Sequence, residues 1–310
     1  MIALVTQLCE AENTMWLSLL NSVISEDVKL LATMTITEKT HCDLAIIANP
    51  RVEDLKQLPS LVWVQSLWAG VESLVVPMQA LGLPLVRLID SKLSQAMAEA
   101  ALAWTLYLHR DMPQYAKQQS QRLWHQIDYI EAQDRHVSIL GLGALGQEAA
   151  KVIAQQGFKV SGGSDSQKSL EGVECFSGDT GLKAMLAQTH ILICLLPLTK
   201  ETHQLLGHQV FRQLPYGAQL INFARAGIVN SSDLFEALDS GLLSHAVLDV
   251  FEQEPLPETS VYWDNENITV LPHISAQTNP HSASDIVARN ILNYRNNGVI
   301  PDGVNINKGY

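Results

Sequence analysis

Three side chains in this sequence have the types and the spacing to do acid–base chemistry on an anion. Arg225 closes the apolar run "AQLINFAR", Glu254 follows "AVLDVFEQ" and precedes Pro255, and His273 closes "NITVLPH". A guanidinium can grip a carboxylate with two parallel hydrogen bonds and polarise a neighbouring carbonyl. An imidazole changes charge near neutral pH and can hand a proton to a developing alkoxide. A carboxylate beside that imidazole orients it and favours its charged form. Reduction of a 2-keto acid requires these three functions. Each residue also has an ordinary reading: a solvated strand-end arginine, one structural histidine among ten, a Glu-Pro loop. Their appearance at three successive strand ends raises the odds of chemistry.

A reduction needs a hydride source, and the chain has a turn suited to one. "SILGLGALG" is an apolar run entering Gly141-x-Gly143-x-x-Gly146, followed by an Ala-rich stretch that ends at Gly157. In a dinucleotide turn the first glycine makes the tight bend. The second lets backbone approach the pyrophosphate, and the third lets helix and strand pack closely. The phosphates then meet free N–H groups at the helix N-terminus. Strand, turn, helix and second strand follow in the required order within about thirty residues. The second strand, "FKVSGG", brings Ser164 to the position where an acid would accept the ribose hydroxyls, with Asp165 beside it. Serine neither accepts both hydroxyls nor repels a 2′-phosphate. Lys168 would attract that phosphate and Asp165 would oppose it, so these residues leave NAD and NADP nearly even. Two other classes stay open at this point. A methyltransferase also uses glycine turns, but it leaves Arg225, Glu254 and His273 without a role. A dinucleotide-sensing interaction protein with little turnover needs none of the three.

The elements that must position these residues alternate in type. "IALVTQ", "DLAIIAN" and "LVWVQSL" read as buried strands in the first ninety residues, with helical spacing from about Asn13 to Val23. Strands alternating with helices imply an α/β fold with parallel sheets and crossover helices. Apolar spacing predicts one long helix from near Ser94, unbroken before Pro113, and then a polar connecting segment over 114–135. A second series runs through "THILICLLPL", "AQLINFAR", "SHAVLDV" and "NITVLPH". Its helices include "NSSDLFEALDSG", with Asn230 or Ser231 as N-cap and Gly241 as its end. A last helix is expected after Pro280.

Composition narrows the partners. Net charge is −12, which argues against nucleic acid, where a basic stripe supplies most of the affinity. An anionic substrate must therefore be drawn in by a local cation. The four cysteines show neither a CxxC nor a zinc spacing, so no metal is expected and reduced thiols in a cytoplasm fit best. "MIALVTQLCEAENTM" has no basic region of the kind that opens a signal peptide, and runs such as "ILICLLPL" are too short to span a bilayer.

With these residues in view, the chain resembles the D-isomer-specific 2-hydroxyacid dehydrogenases, and within them the glyoxylate/hydroxypyruvate reductase A branch. The matching stretches are "SLWAGVESL", "ILGLGALGQEAA", "LLPLTKETHQLLG", "INFARAGIVNSSDLFEAL", "AVLDVFEQEPLP", "LPHISAQT" and the terminal "GY". The resemblance implies two Rossmann-like or flavodoxin-like domains: a substrate domain of residues 1–93 plus 276–310, and an inserted cofactor domain of 94–275. It implies an NAD(P) cofactor with a slight lean to NADP, a small 2-keto acid substrate, and a homodimer built on the long helix. Arg225 would hold the substrate, His273 would be the acid/base and Glu254 its partner. Ala144 and Leu145 of the turn, Leu196 and Pro197, Ala224, and Asp249 near the nicotinamide carboxamide would line the cofactor site. Trp68, Ala69, Gly70 and Val71 would offer backbone N–H groups to the substrate carboxylate. Two positions depart from the pattern. Trp68 stands where the family loop has its first glycine. Ser164–Lys168 stands where similar reductases carry a Ser-Arg-Ser-Arg-Lys run, and both arginine positions are lost here.

Overall fold

The computed structural model describes residues 1–305, and the terminal "GY" lies outside them. The chain forms two compact units: Met1–Lys92 with the chain from Thr278 onward, and Leu93–Gln277.

The first unit runs β1 (Ile2–Thr6), α1 (Glu10–Val23), β2 (Val28–Leu30), α2 (Ile36–Thr40), β3 (Leu44–Ala48), α3 (Val52–Leu55), β4 (Trp63–Ser66), α4 (Glu72–Leu81) and β5 (Leu85–Val86). Its sheet is parallel throughout, in the order β2-β1-β3-β4-β5. Successive side chains of a strand face opposite ways, and here both faces are apolar. Ile2, Leu4, Leu44 and Ile46 enter one core; Ala3, Val5, Ala45 and Ile47 enter the other. That is why these strands read as continuous hydrophobic runs and not as alternating ones.

The second unit begins along α5 (Ser91–His109) and α6 (Met112–Ser120). Its sheet strands are β6 (His136–Leu140), β7 (Lys159–Ser164), β8 (Val173–Ser177), β9 (Ile191–Cys194), β10 (Ala218–Asn222), β11 (Leu243–Leu248) and β12 (Ile268–Val270). Between them lie α7 (Ala144–Ala154), α8 (Gly178–Leu186), α9 (His208–Phe211) and α10 (Ser231–Asp239). All pairings are parallel, in the order β12-β11-β10-β9-β6-β7-β8. The strand order therefore reverses between β6 and β9, where sheets of this kind open a ligand crevice beyond their carboxyl ends. Both units show the parallel α/β architecture expected from the alternation of strands and helices.

The chain returns to the first unit in α11 (Pro280–Asn297). Asn279 caps it by accepting from the His281 and Ser282 N–H groups. Ala283, Val287 and Ile291 of this helix share a core with Trp16 and Leu20 of α1.

Several boundaries differ from the sequence expectation. The long helix starts at Ser91 and ends at His109, because Asp111 takes a left-handed φ of 54°. Pro113 then lies in the first turn of α6, where its fixed φ suits a helix and its missing N–H costs nothing. Residues 112–120 are thus helical, although no residue of α6 is buried and its polarity reads as a connector. β2 and β5, of three and two residues, are too short to stand out as apolar runs, and β8 mixes Glu174 and Ser177 into its five residues. The long runs end sooner than they read: β10, β11 and β12 stop at Asn222, Leu248 and Val270. No helix among the described residues is long and apolar enough to cross a membrane.

Candidate active site

The strand-end candidates all sit in loops beyond the carboxyl edge of the second unit's sheet. Arg225 lies just past β10, Glu254 beyond β11, and His273 just past β12. Folding brings two of them into direct contact. His273 Nδ1 and Glu254 Oε2 are 2.7 Å apart, although 19 residues separate them in the chain. The other Glu254 oxygen, Oε1, accepts the Phe251 N–H at 2.9 Å, so the carboxylate is aimed before it meets the imidazole. The histidine side chain remains 53% exposed, open to a partner in solution.

His273 also takes a backbone φ of +55°, which a non-glycine residue holds only when its surroundings enforce it. Asp249, buried to 2%, does the enforcing. Its two carboxylate oxygens accept the N–H groups of Ile274 at 2.7 Å and Ser275 at 2.9 Å, directly after the histidine. Charge-assisted bonds of this kind are about twice as strong as neutral ones. Asp249 therefore sits just past β11, and its carboxylate is occupied by the histidine loop.

Arg225 is held from behind. The Arg225 Nη1 donates to the Ala224 carbonyl at 2.7 Å. Asn222, buried to 1%, accepts the Ala224 N–H through Oδ1 and donates to the Arg225 carbonyl through Nδ2, both at 3.1 Å. The Asn222 backbone carbonyl accepts the Asp249 N–H at 3.1 Å. Sequence reading passed over Asn222. The signal was there: an asparagine closing a buried apolar strand needs hydrogen-bond partners for its amide.

The glycine turn has the shape a dinucleotide phosphate needs. Gly141 has φ +103°, and a Cβ there would meet the Leu195 carbonyl oxygen at 2.6 Å. A Cβ on Gly146 would fall 1.9 Å from the Gly141 oxygen, so helix α7 can approach the turn only as glycine. Gly143 is different: a Cβ there would meet nothing within 4 Å. Its open side is where a ligand's pyrophosphate would pass. Gly143 is also the N-cap of α7 and supplies no capping side chain, which leaves the first helical N–H groups, those of Ala144 and Leu145 among them, to an anion. The turn lies at the strand-order reversal. These residues fit a dinucleotide.

Around the turn, Leu196 and Pro197 follow β9, and the Pro197 carbonyl accepts from Thr202 Oγ1 at 2.6 Å. At the end of β7 the Ser164 hydroxyl donates to the Ser166 carbonyl at 2.8 Å. Gln167 folds back onto β8, donating to the Cys175 carbonyl and accepting from Ser177 Oγ. Asp165 and Lys168 are exposed on this loop.

In the first unit, Trp68 turns its indole edge-on to Trp16 of α1, with ring centroids 5.8 Å apart. The backbone N–H of Trp68 is already donated to Ser66 Oγ at 2.9 Å. Of the four loop residues, Ala69, Gly70 and Val71 keep N–H groups with no partner among the described residues, while the Val71 side chain is buried.

The chain is similar to known proteins over most of its length. Residues 102–275 match the family model described as D-isomer specific 2-hydroxyacid dehydrogenase, NAD binding domain. The chain is 38% identical over 256 residues to the glyoxylate/hydroxypyruvate reductase A of Serratia proteamaculans, covering 81% of this chain and 82% of that one. A solved D-isomer specific 2-hydroxyacid dehydrogenase of Xanthobacter autotrophicus, in complex with NADPH and MES, superposes with a TM-score of 0.92 at 33% identity. It covers 100% of this chain and 99% of its own. An NADPH-dependent glyoxylate/hydroxypyruvate reductase of Sinorhizobium meliloti, in complex with NADP and sulfate, gives 0.91 at 31% identity over 100% of this chain and 99% of its own. A buried carboxylate and an asparagine frame an Arg/Glu/His set at the edge of a dinucleotide-type sheet, and with that match over most of its length the chain belongs to the D-isomer-specific 2-hydroxyacid dehydrogenases.

Proposed function

We propose that this protein reduces a small 2-keto acid, of the size of glyoxylate or hydroxypyruvate, to the 2-hydroxy acid with NAD(P)H. The observation that carries the reading is the 2.7 Å pair between His273 Nδ1 and Glu254 Oε2. An imidazole whose Nδ1 hydrogen is held by a carboxylate presents Nε2 as its proton-delivering atom. Arg225 binds the substrate carboxylate and polarises the ketone. The backbone N–H groups of Ala69, Gly70 and Val71 are donors suited to a carboxylate. A reduced nicotinamide dinucleotide, when its pyrophosphate is held at the Gly141–Gly146 turn, would supply the hydride for the carbonyl carbon. His273 gives its proton to the carbonyl oxygen, and Glu254 stabilises the imidazole through the transfer. Asp249 holds the loop that carries His273.

On this reading residues 1–93 with 276–310 serve the substrate and 94–275 the cofactor. The cofactor leans to NADP: the Xanthobacter and Sinorhizobium proteins are solved with NADPH and NADP, and Lys168 offers a cation at the ribose end. The protein is a cytoplasmic homodimer. Its support is the number of exposed apolar side chains along and after α5: Leu106, Met112, Leu123, Tyr129 and Ile130, with Trp124 97% exposed. Isolated apolar residues are normal on a surface, but a concentration of them marks an interface.

The test follows the absorbance of reduced cofactor with a panel of 2-keto acids, NADH and NADPH side by side. Turnover with glyoxylate or hydroxypyruvate is expected. Tight cofactor binding without oxidation by any of them would replace this reading with that of a dinucleotide sensor.

A further inference from the structure

The structure assigns a role to Asn222: it is the residue that positions Arg225, and the inference rests on the reading of Arg225 as the substrate clamp. Arg225 has extended backbone, with φ −142° and ψ 145°. Its side chain leaves a loop that belongs to no strand and donates from Nη1 to the Ala224 carbonyl, so the direction of the guanidinium depends in part on what fixes the backbone of Ala224 and Arg225. The Asn222 amide does so on both sides of the arginine. It accepts the Ala224 N–H before it and donates to the Arg225 carbonyl after it. The amide carries one acceptor and a donor pair on the same small group. No other side chain of that size supplies both at that spacing. Burial to 1% removes water as a substitute partner.

The same residue ties the arginine to the histidine side of the site. The Asn222 carbonyl accepts the Asp249 N–H, and the Asp249 carboxylate accepts the two N–H groups that follow His273. The frame behind the site is therefore continuous: Arg225 backbone, Asn222, Asp249, His273 loop. A clamp and a proton donor that must meet one substrate need a fixed separation.

Asn222→Asp keeps the shape of the side chain and removes its donor, so the Arg225 carbonyl faces an oxygen. Losing one such bond at a substrate clamp is expected to raise KM for glyoxylate about tenfold. It should weaken binding of oxamate, an unreactive 2-keto acid analogue, to the NADPH complex by a similar factor in calorimetry, with kcat changed much less. In an Arg225→Ala background the same change should add nothing, because a residue that acts only through the arginine has no further effect once the arginine is gone. Should Asn222→Asp show no melting transition, Asn222→Ser is measured in the same way. Unchanged KM and oxamate affinity in a folded Asn222 variant, with Arg225→Ala defective, would overturn the role of Asn222 and leave the function standing. So would a loss that simply adds to that of Arg225→Ala. Oxamate binding that survives Arg225→Ala would overturn the clamp itself and the inference with it.

Discussion

At the scale of single residues, the site is a set of short polar chains hung from strand ends. His273 depends on Glu254 for its orientation and on Asp249 for its backbone. His273→Ala should lower kcat/KM by about two to four orders of magnitude, the usual worth of a positioned proton donor. Steady-state kinetics at saturating cofactor checks this. A loss below tenfold would put the proton elsewhere. Asp249→Asn keeps the volume but sets an amide hydrogen against a backbone N–H of the loop after His273. It should lower kcat about tenfold or more and reduce thermal stability, since a buried donor loses its partner. At the ribose end, Asp165→Arg should raise the NADPH/NADH ratio of kcat/KM. A ratio that does not move would mean that the loop after β7 does not face the ribose. The candidate residues at this scale were legible in the sequence because chemistry selects residue types. Asn222 was not, since its importance lies in which backbone atoms it reaches.

At the scale of elements, the glycine turn makes a prediction that its two later glycines separate. A methyl carbon at Gly146 falls on the Gly141 oxygen, whereas one at Gly143 meets open space. Gly146→Ala should therefore damage folding: the melting temperature drops or soluble protein is lost. Gly143→Ala should melt like the parent, yet bind cofactor about tenfold or more weakly, because the methyl occupies the pyrophosphate's path. Circular-dichroism melts and cofactor titrations by fluorescence distinguish the two. Equal behaviour would refute the placement of the ligand on the Gly143 side. The strand–turn–helix order behind this contrast was readable from spacing. Element ends were less so. Asp111 ended α5 through a left-handed backbone angle that no residue type demanded, and Pro113 opened the next helix. A proline is read equally well as a stop or as a first turn.

At the scale of the whole molecule, two expectations follow. Trp124→Glu with Tyr129→Glu should convert a homodimer to monomer in light scattering behind size exclusion. A parent that elutes as monomer removes the dimer from the reading. The second concerns acid. Burial pushes the His245 imidazole down to about 4, and it lowers His109, His136 and His190 as well. The folded protein thus keeps these rings neutral while the unfolded chain protonates them near the ordinary value of 6.5. Their contribution is complete above that value and is lost as pH falls toward 4. The melting temperature should decline from pH 7 to pH 5, and the decline should be shallower in His245→Gln. A flat profile over that range would contradict the buried neutral state.

Residue type and local spacing, which the sequence alone carries, determined the parallel α/β class, the dinucleotide turn and the three side chains able to handle an anion and a proton. Apolar runs bury on both faces of a parallel sheet, and glycine spacing reports backbone clearance, so both are local properties. Contacts across sequence distance belonged to the tertiary structure. It brought Glu254 to His273, set the backbone of His273 through Asp249, and turned Trp68 onto Trp16. It also placed Asn222 between the arginine and the histidine loop. Hydrogen-bond partners are chosen by position in space, and positions in space are fixed only when the strands have paired.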